Sequence, residues 1–414
     1  MSEAKIIHGD NRETLATLPE RHFHCCITSP PYWGLRDYGV DGQIGLETSP
    51  AAFVESMRSV FAGVWRVLRD DGVLWLNLGD SYCSTDKWGG GGANSGKHMK
   101  ADDGSVPSWA VRQRKRPIEG IKPKDLVGIP WRVAFALQED GWYLRDAIIW
   151  HKPAPMPGSQ RDRCTSSYEF IFQLAKSRRY FFDIDAIKEP LKPSSESRGE
   201  VAFGGELGSA SRLYSGNSWK GSSFTAGKTG AVHENQGQGE RNPTGGSTPR
   251  NVWTIASGGF KEAHFATFPI ELPLRCIKAS TSSKGCCSGC GAPWQRVTER
   301  TQLKRSRPNE LTKRTGEEGT GNHCANTVAG VEARTIGWEP TCDCQLDVSP
   351  CRVLDPFNGA GTTGVACRRL GVDYVGCELN QEYIDMSLRR LAKEANRDSK
   401  LKPIKAAAGQ AELF

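Results

Sequence analysis

Cys351-Arg352-Val353-Leu354-Asp355-Pro356-Phe357-Asn358-Gly359-Ala360-Gly361-Thr362-Thr363-Gly364 is the stretch whose reading decides the fold. An apolar run ends in an acid, a Gly-rich turn follows, and a helix to Leu370 opens behind it. A second short strand, Tyr374-Val375-Gly376-Cys377-Glu378, ends in another acid, nineteen residues after Gly359. Strand, glycine turn, helix and a strand tipped by an acid form the pattern of a nucleotide-binding βαβ unit. The glycines let the backbone pass close to a ligand, and the helix N-terminus offers unpaired N–H groups. Glu378 can accept both hydroxyls of a ribose. The turn lacks the Gly-Lys-Ser/Thr ending of a triphosphate loop. A carboxylate at Asp355 suits a cationic, amino-acid-bearing cofactor better than a pyrophosphate, which favours S-adenosylmethionine over NAD.

Working outward, the N-terminal third repeats the alternation of strand and helix. Lys5 to Asp10 reads as a strand ending in Gly-Asp, Asn11 to Leu18 as a short helix stopped by Pro19, and His22 to Thr28 as a second strand. Ala51 to Leu68 carries Phe53, Met57, Val60, Phe61, Val64, Val67 and Leu68 on one helical stripe. Asp70-Asp71-Gly72 is expected to end that helix, and Val73 to Leu78 to form the strongest strand. A helix from about Pro130 to Asp140 precedes two strands, Trp142 to His151 and Tyr168 to Ala175, read as a hairpin-like pair at the sheet edge. A helix is expected over Ile270 to Ala279, and an amphipathic helix runs to about Ala395. The succession implies a doubly wound, largely parallel sheet.

Thr28-Ser29-Pro30-Pro31-Tyr32-Trp33 follows the second strand. Neither proline can donate to a sheet ladder, and both hold φ near about −65°. The chain therefore leaves the sheet stiffly, with fixed acceptors beside an aromatic ring. Alone, such a stretch is an ordinary strand exit. Beside a cofactor site, it suits a planar, amine-bearing substrate.

Taken together, Asp355-Pro-Phe-Asn-Gly-Ala-Gly-Thr-Thr-Gly and Ser29-Pro30-Pro31-Tyr32 resemble the cofactor and catalytic motifs of DNA amino-methyltransferases. With the catalytic motif first, the order resembles the permuted β group of that family, over about Lys5 to Ala395. The resemblance implies a Rossmann-like α/β methyltransferase fold with circularly permuted motifs. It places Phe357, Gly359, Gly361, Thr362 and Glu378 around S-adenosylmethionine, with Asp10 facing the adenine. His264 to Pro269 resembles a further cofactor-contacting motif, with Phe265 and Thr267 as the contacts. Ser29 Oγ and the Pro30 carbonyl would accept from the target amine, Pro31 would stiffen them, and Tyr32 would stack on an extruded base. C5-cytosine methylation would instead need a Pro-Cys after the catalytic strand. Pro350-Cys351 stands elsewhere, as a core cysteine. Serine where the family also uses aspartate leans towards cytosine N4 over adenine N6. An N6-adenine enzyme, a non-catalytic nucleic-acid-binding protein of the same fold, and an RNA or protein substrate stay open.

Cys287-Ser288-Gly289-Cys290 resembles a zinc knuckle, and Cys342 and Cys344 could complete a structural Zn2+ site in a zinc-ribbon-like insertion. Cys286 could replace Cys287, and His323 or Cys324 a member of the second pair. The other cysteines read as core fillers.

Composition sets the remaining bounds. Hydrophobic content of 37% is low for one compact core, and 46 Gly with 23 Pro imply long loops. The net charge is +7, with basic runs at Arg112 to Arg116 and Lys304 to Arg307, as a polyanionic partner such as double-stranded DNA would favour. Met1 to Asp10 has no apolar signal core and no run could span a bilayer, so a cytoplasmic protein with no membrane partner is expected. Fourteen cysteines there imply free thiols or metal ligands, not disulfides. The expected division is a catalytic half-core over 1–83, a Gly-rich basic insertion over 84–120, and core again over 121–189. A target-recognition region over 190–250 and a core and cofactor-contacting segment over 251–285 come next. A zinc-binding insertion (286–345), the cofactor half-core (346–398) and a tail (399–414) complete the chain. Loops 84–120 and 300–335 are further candidates for phosphate contact. A cognate restriction endonuclease, acting separately, would be a natural companion. Nothing in the pattern sets the oligomeric state or the sequence recognised.

Overall fold

The computed structural model describes residues 3–35, 38–83, 121–155, 157–158, 160–189, 248–257, 267–303 and 330–400. The basic runs at 112–116 and 304–307, nearly all of the 190–250 region, Phe265, His323, Cys324 and the tail beyond 400 lie outside these residues. The chain divides into two compact units, one of residues 1–187, 250–296 and 338–414, the other of residues 188–249 and 297–337.

An eight-stranded sheet organises the first unit. In chain order its strands are β1 (Ala4–His8), β2 (Phe23–Thr28), β3 (Leu68–Leu78), β4 (Tyr143–His151), β5 (Tyr168–Ala175) and β6 (Val252–Thr254). The last two, β11 (Arg352–Asp355) and β12 (Asp373–Glu378), follow a Cys-bearing segment. That segment holds β7 (Cys286–Cys287), which pairs with β10 (Val348–Ser349). It also holds β8 (Gln295–Leu303) and β9 (Gly330–Glu339), which form a two-stranded sheet of their own.

The large sheet has the order β1-β12-β11-β2-β3-β5-β4-β6. Neighbours from β1 to β3 are all parallel, while β5 runs antiparallel to both β3 and β4. The last two sequence strands thus sit inside the sheet, between β1 and β2, and Val353 and Leu354 pair with Cys25 and Cys26. From β11 the chain winds one way to β12, and from β2 the other way to β3. Between β11 and β2 the winding reverses, and a crevice opens beyond the strand ends at such a switch point.

Helices cover both faces. On one side lie α1 (Asn11–Thr17), α2 (Pro50–Val67) and α3 (Ile129–Glu139), whose Leu15, Phe53, Met57, Phe61 and Val133 share a core with Leu74, Leu76 and Phe172. On the other lie α4 (Glu271–Ser280) and α5 (Thr362–Leu370), which bury Ile277, Cys276 and Ala366 against Trp75, Ile171 and Val353. A final helix, α6 (Gln381–Lys400), packs on α5. The α2 sequence explains its own limits. Ser49 accepts from the Ala52 N–H at the N-cap, Pro50 occupies the first turn, and the apolar stripe recurs every three or four residues.

Three sequence expectations need correction. The α2 helix ends at Val67 rather than running to an Asp-Asp-Gly stop, because Leu68 turns extended and pairs with Phe23, five residues before Val73 pairs with Cys25. β3 therefore begins at Leu68. The β4–β5 pair is antiparallel as expected, but it does not end the sheet: β6 adds in parallel outside β4, seating Trp253 opposite Trp150.

Among the described residues Trp75 carries the largest fully buried side chain, and its indole N–H donates to Ser280 Oγ at 2.7 Å, so β3 is pinned to the end of α4. Ser280→Ala leaves that donor in an apolar layer without its acceptor. The expected cost is about 1–3 kcal/mol, read as a lower denaturation midpoint with an unchanged m-value.

Candidate active site

The ends of β1, β12, β11 and β2 converge on one cleft, lined by Asp10 and Asn11, Ser29 and Pro31, the turn Pro356 to Ala360 with Thr362, and Cys377 to Asn380. Tyr38 and Tyr383 stand edge to face across it, ring centroids 6.3 Å apart. Thr267 and Phe268 close another side.

Its floor is the Gly-rich turn. Gly359 and Gly361 take left-handed φ of 51° and 74°, a region that glycine enters without strain. Gly361 caps α5, and a Cβ there would fall 2.0 Å from Ser387 Oγ. The Gly359 N–H donates to Glu378 Oε2 at 2.7 Å, and the Asn380 N–H donates to Oε1 at 3.0 Å. Glu378 therefore ties the turn after β11 to the turn after β12. Each of its oxygens keeps a second acceptor position, and burial pushes its pKa above the usual carboxylate value.

Asp10 caps α1 and forms an ion pair with Arg12, whose hydrogen bonds lower the Asp10 pKa. Beside it, buried Asn11 donates from Nδ2 to the Pro356 carbonyl at 3.1 Å, joining the β1 and β11 ends. Asn358 Oδ1 accepts from Tyr374 OH at 2.7 Å. Neither asparagine stands out in the sequence, since only strand pairing gives them partners.

Asp355 takes a different place from the one expected. It is buried and does not line the cleft. Oδ1 accepts from Thr28 Oγ at 2.7 Å and from the Phe357 N–H at 3.1 Å, and Oδ2 accepts from Thr363 Oγ at 2.7 Å. With these donors gathered around it, the carboxylate fastens the two motifs to each other instead of facing a cationic ligand. Gly361 likewise shapes the turn without lining the cleft.

The Ser29 to Tyr32 stretch stands at the end of β2. Ser29 and Pro31 reach the cleft; Pro30 is buried and Tyr32 lies beyond the lining. The Tyr32 hydroxyl donates to Glu169 Oε2 at 2.5 Å and lies 3.5 Å from Ser29 Oγ. Burial, and next the Glu169 charge, push the Tyr32 pKa up, so it remains a phenol. Asn77 Nδ2 also donates to Glu169 Oε2, at 3.2 Å, and Lys152 pairs with Oε1. The sequence reading missed this trio; its one legible trace is Asn77, a lone amide in the apolar run of β3.

The cysteine pairs meet as expected. The sulfurs of Cys287, Cys290, Cys342 and Cys344 all lie within 4.8 Å of one another. Backbone N–H groups of Cys290 and Gly289 lower the Cys287 thiol to about 7. Cys286 does not substitute for its neighbour. Adjacent residues of an extended strand face opposite ways, and Cys286 turns inward to Ser349, Pro350 and Cys351.

Comparison with known proteins fits this arrangement. The DNA methylase family model for N6/N4 methyltransferases matches residues 23–287 and 352–389. Type II methyltransferase M.Cfr9I of Citrobacter freundii is 35% identical over 394 residues, covering 95% of this chain and 89% of that protein. The chain belongs to the S-adenosylmethionine-dependent DNA amino-methyltransferases. M.SmaI of Serratia marcescens, also named a Type II methyltransferase, is 32% identical over 95% of this chain and 92% of its own. A solved structure titled PvuII DNA methyltransferase, cytosine-N4-specific, aligns over 96% of this chain and 93% of its own, at 15% identity and a TM-score of 0.48. Among the described residues of the methyltransferase, no helix is long and apolar enough to cross a membrane.

Burial raises the Asp355 carboxyl to about 6 from 3.8, although the Thr28, Thr363 and Phe357 donors pull it back. Because the folded value lies above the unfolded one, the carboxyl's contribution to stability is present below about pH 4. It is lost as pH rises through about 6, for a total of about 3 kcal/mol. Asp355→Asn cannot ionise. The stability difference between wild type and this variant should therefore shift by that amount, against wild type, between about pH 4 and about pH 7, measured by denaturant titration.

Proposed function

We propose that this methyltransferase transfers a methyl group to the exocyclic N4 amine of cytosine in double-stranded DNA, with the base flipped out of the helix. The reading rests on the stiff Ser29-Pro30-Pro31-Tyr32 stretch at the rim of a cleft whose floor is the Gly-rich turn and Glu378. Serine at the head of the motif favours cytosine over adenine. The exocyclic amine is a poor nucleophile, because its lone pair is delocalised into the ring. Ser29 Oγ and the Pro30 carbonyl accept its two N–H bonds and draw the nitrogen towards a tetrahedral shape, freeing the lone pair. Tyr32 stacks on the base. Catalysis is then mostly positioning and fixed dipoles.

The cleft fits the cofactor. Glu378 has acceptor positions for a ribose, Tyr38 and Tyr383 offer ring edges and faces to an adenine, and Asp10 stands nearby. Phe357, Gly359, Thr362 and Thr267 line the remainder. When bound, S-adenosylmethionine supplies the electrophilic methyl group. Asp355 and Gly361 act indirectly, by holding the turn in shape, and Phe265 keeps the contact role that the family resemblance implies. Residues 190–250, with their scattered Arg, Lys, Asn and aromatic side chains, are assigned to target recognition. The Type II names of the relatives support a restriction–modification setting, with a separate endonuclease for the same site and a cytoplasmic location beside the DNA.

Zinc is the second assignment. Ideal tetrahedral Zn–S geometry separates sulfurs by about 3.8 Å, and the four thiols lie within 4.8 Å of one another with no disulfide among them. Cys287, Cys290, Cys342 and Cys344 would hold the ion in a closed, structural site.

Nucleosides from DNA methylated in vitro should contain N4-methylcytosine by mass spectrometry; N6-methyladenine would overturn the base assignment. Ser29→Ala should lower kcat by about 10²-fold, the scale of one lost transition-state hydrogen bond. Elemental analysis should give about one zinc per chain, and Cys290→Ala should abolish it and lower the melting temperature.

A further inference from the structure

Glu169, Lys152 and Asn77 come from three neighbouring strands. Asn77 is the penultimate residue of β3, Glu169 the second of β5, and Lys152 follows the last residue of β4. Register places Glu169 opposite Trp150, and Lys152 Nζ lies 4.5 Å from the Trp150 ring centroid. The Glu169 and Lys152 side chains are only 15% and 23% exposed. An ion pair so placed is a poor device for stability, because desolvation offsets most of the attraction. What it does accomplish is directional: the carboxylate takes three donors, and one of them is the hydroxyl of Tyr32.

We propose that Glu169 is a positioning residue for methyl transfer, orienting Tyr32 through its hydroxyl and fixing the direction of hydrogen bonding along Ser29, Tyr32 and Glu169. The inference rests on the assignment of Ser29 as amine acceptor and Tyr32 as stacking ring. One face of that ring is already taken. A Cβ added to Gly79 would lie 2.5 Å from Tyr32 Cε2 and 2.9 Å from Cδ2, so the ring lies directly on the Gly79 backbone. With the hydroxyl held at 2.5 Å and one face against Gly79, the ring plane is set, leaving the opposite face for a base.

The direction of the hydrogen bonds follows from the charge. A carboxylate can only accept, so Tyr32 must give it its single proton. The Tyr32 oxygen is then an acceptor, and Ser29 Oγ, 3.5 Å away, points its own proton towards it. The Ser29 lone pairs are left for the substrate amine. Lys152 and Asn77 hold the Glu169 carboxylate in place by hydrogen bonds; they act on the reaction only through it.

A double-mutant cycle tests this on the full-length enzyme. Glu169→Ala should lower kcat by about 10- to 100-fold, with KM for DNA changed less than about threefold. In a Tyr32→Phe background, which lacks the hydroxyl but keeps the ring, the same substitution should cost less than about twofold, since its route is already cut. An equal loss in both backgrounds, or an effect confined to KM, overturns the proposal. If Glu169→Ala does not fold, Glu169→Gln takes its place in the cycle with a smaller loss and the same non-additivity. Tyr32→Ala separates the two levels. Full activity in that variant would defeat the stacking assignment itself, whereas an inactive Tyr32→Ala with an additive cycle would defeat only the role of Glu169.

Discussion

The Asp355 carboxylate, shared between Thr28 and Thr363, is the contact on which the site depends. Thr28 and Asp355 are 327 residues apart, yet they end adjacent parallel strands, and Thr363 lies in the first turn of the helix behind the Gly-rich turn. The distance between the Ser29 stretch and the Gly-rich turn is therefore fixed at one buried point. An ion without a counter-charge is costly in such a place. It is tolerated here because two hydroxyls and a backbone N–H converge on it, and these donors also come from the segments that must not drift apart. Sheet pairing alone would bring β2 and β11 together. It would not set how the loops leave them.

From that joint the cleft is closed by similar ties between strand ends. Asn11 reaches the Pro356 carbonyl, and Glu378 reaches the Gly359 and Asn380 N–H groups. On the other side of β2, Tyr32 is tied to Glu169 at the head of β5. Each tie uses an acid or amide at a strand end, where the ladder has run out of backbone partners. The site is thus an extension of the sheet's hydrogen bonding by side chains. That makes the cleft stiff.

This explains which parts could be read beforehand. Local features were legible: the stripe of α2, the double proline after Thr28, and the strand–glycine–helix–strand run ending in Glu378. Their causes lie within a few residues, so the sequence displays them directly. The acid at Asp355 was equally visible, but not the direction in which its oxygens point, because that depends on Thr28 lying in the adjacent strand. Glu169, Lys152 and Asn77 needed more still, the antiparallel register of β5 against both β3 and β4. The bulge that starts β3 at Leu68 arises from pairing with Phe23 and leaves no local mark.

The cysteine knuckle belongs to the opposite end of the same sheet. His24, near the start of β2, accepts at Nδ1 from the Arg352 N–H and donates from Nε2 to the Gly291 carbonyl, at 3.0 and 2.8 Å. Both ring nitrogens are thereby used, so the neighbouring Cys286 and Cys351 thiols gain no metal-ligating partner in it. Arg69, at the start of β3, donates to the Cys290 carbonyl at 2.7 Å. The knuckle is therefore stitched to the N-terminal edges of β2, β3 and β11, whereas the cleft lies beyond the C-terminal ends of β2 and β11. A sheet strand rises only about 3.3 Å per residue, so the four steps along β2 from His24, beside the knuckle, to Thr28, beside the cleft, span about 13 Å. A zinc ion held by the knuckle, as proposed, would be structural. Its work would be to hold the entry to β11, and through β11 the position of Asp355.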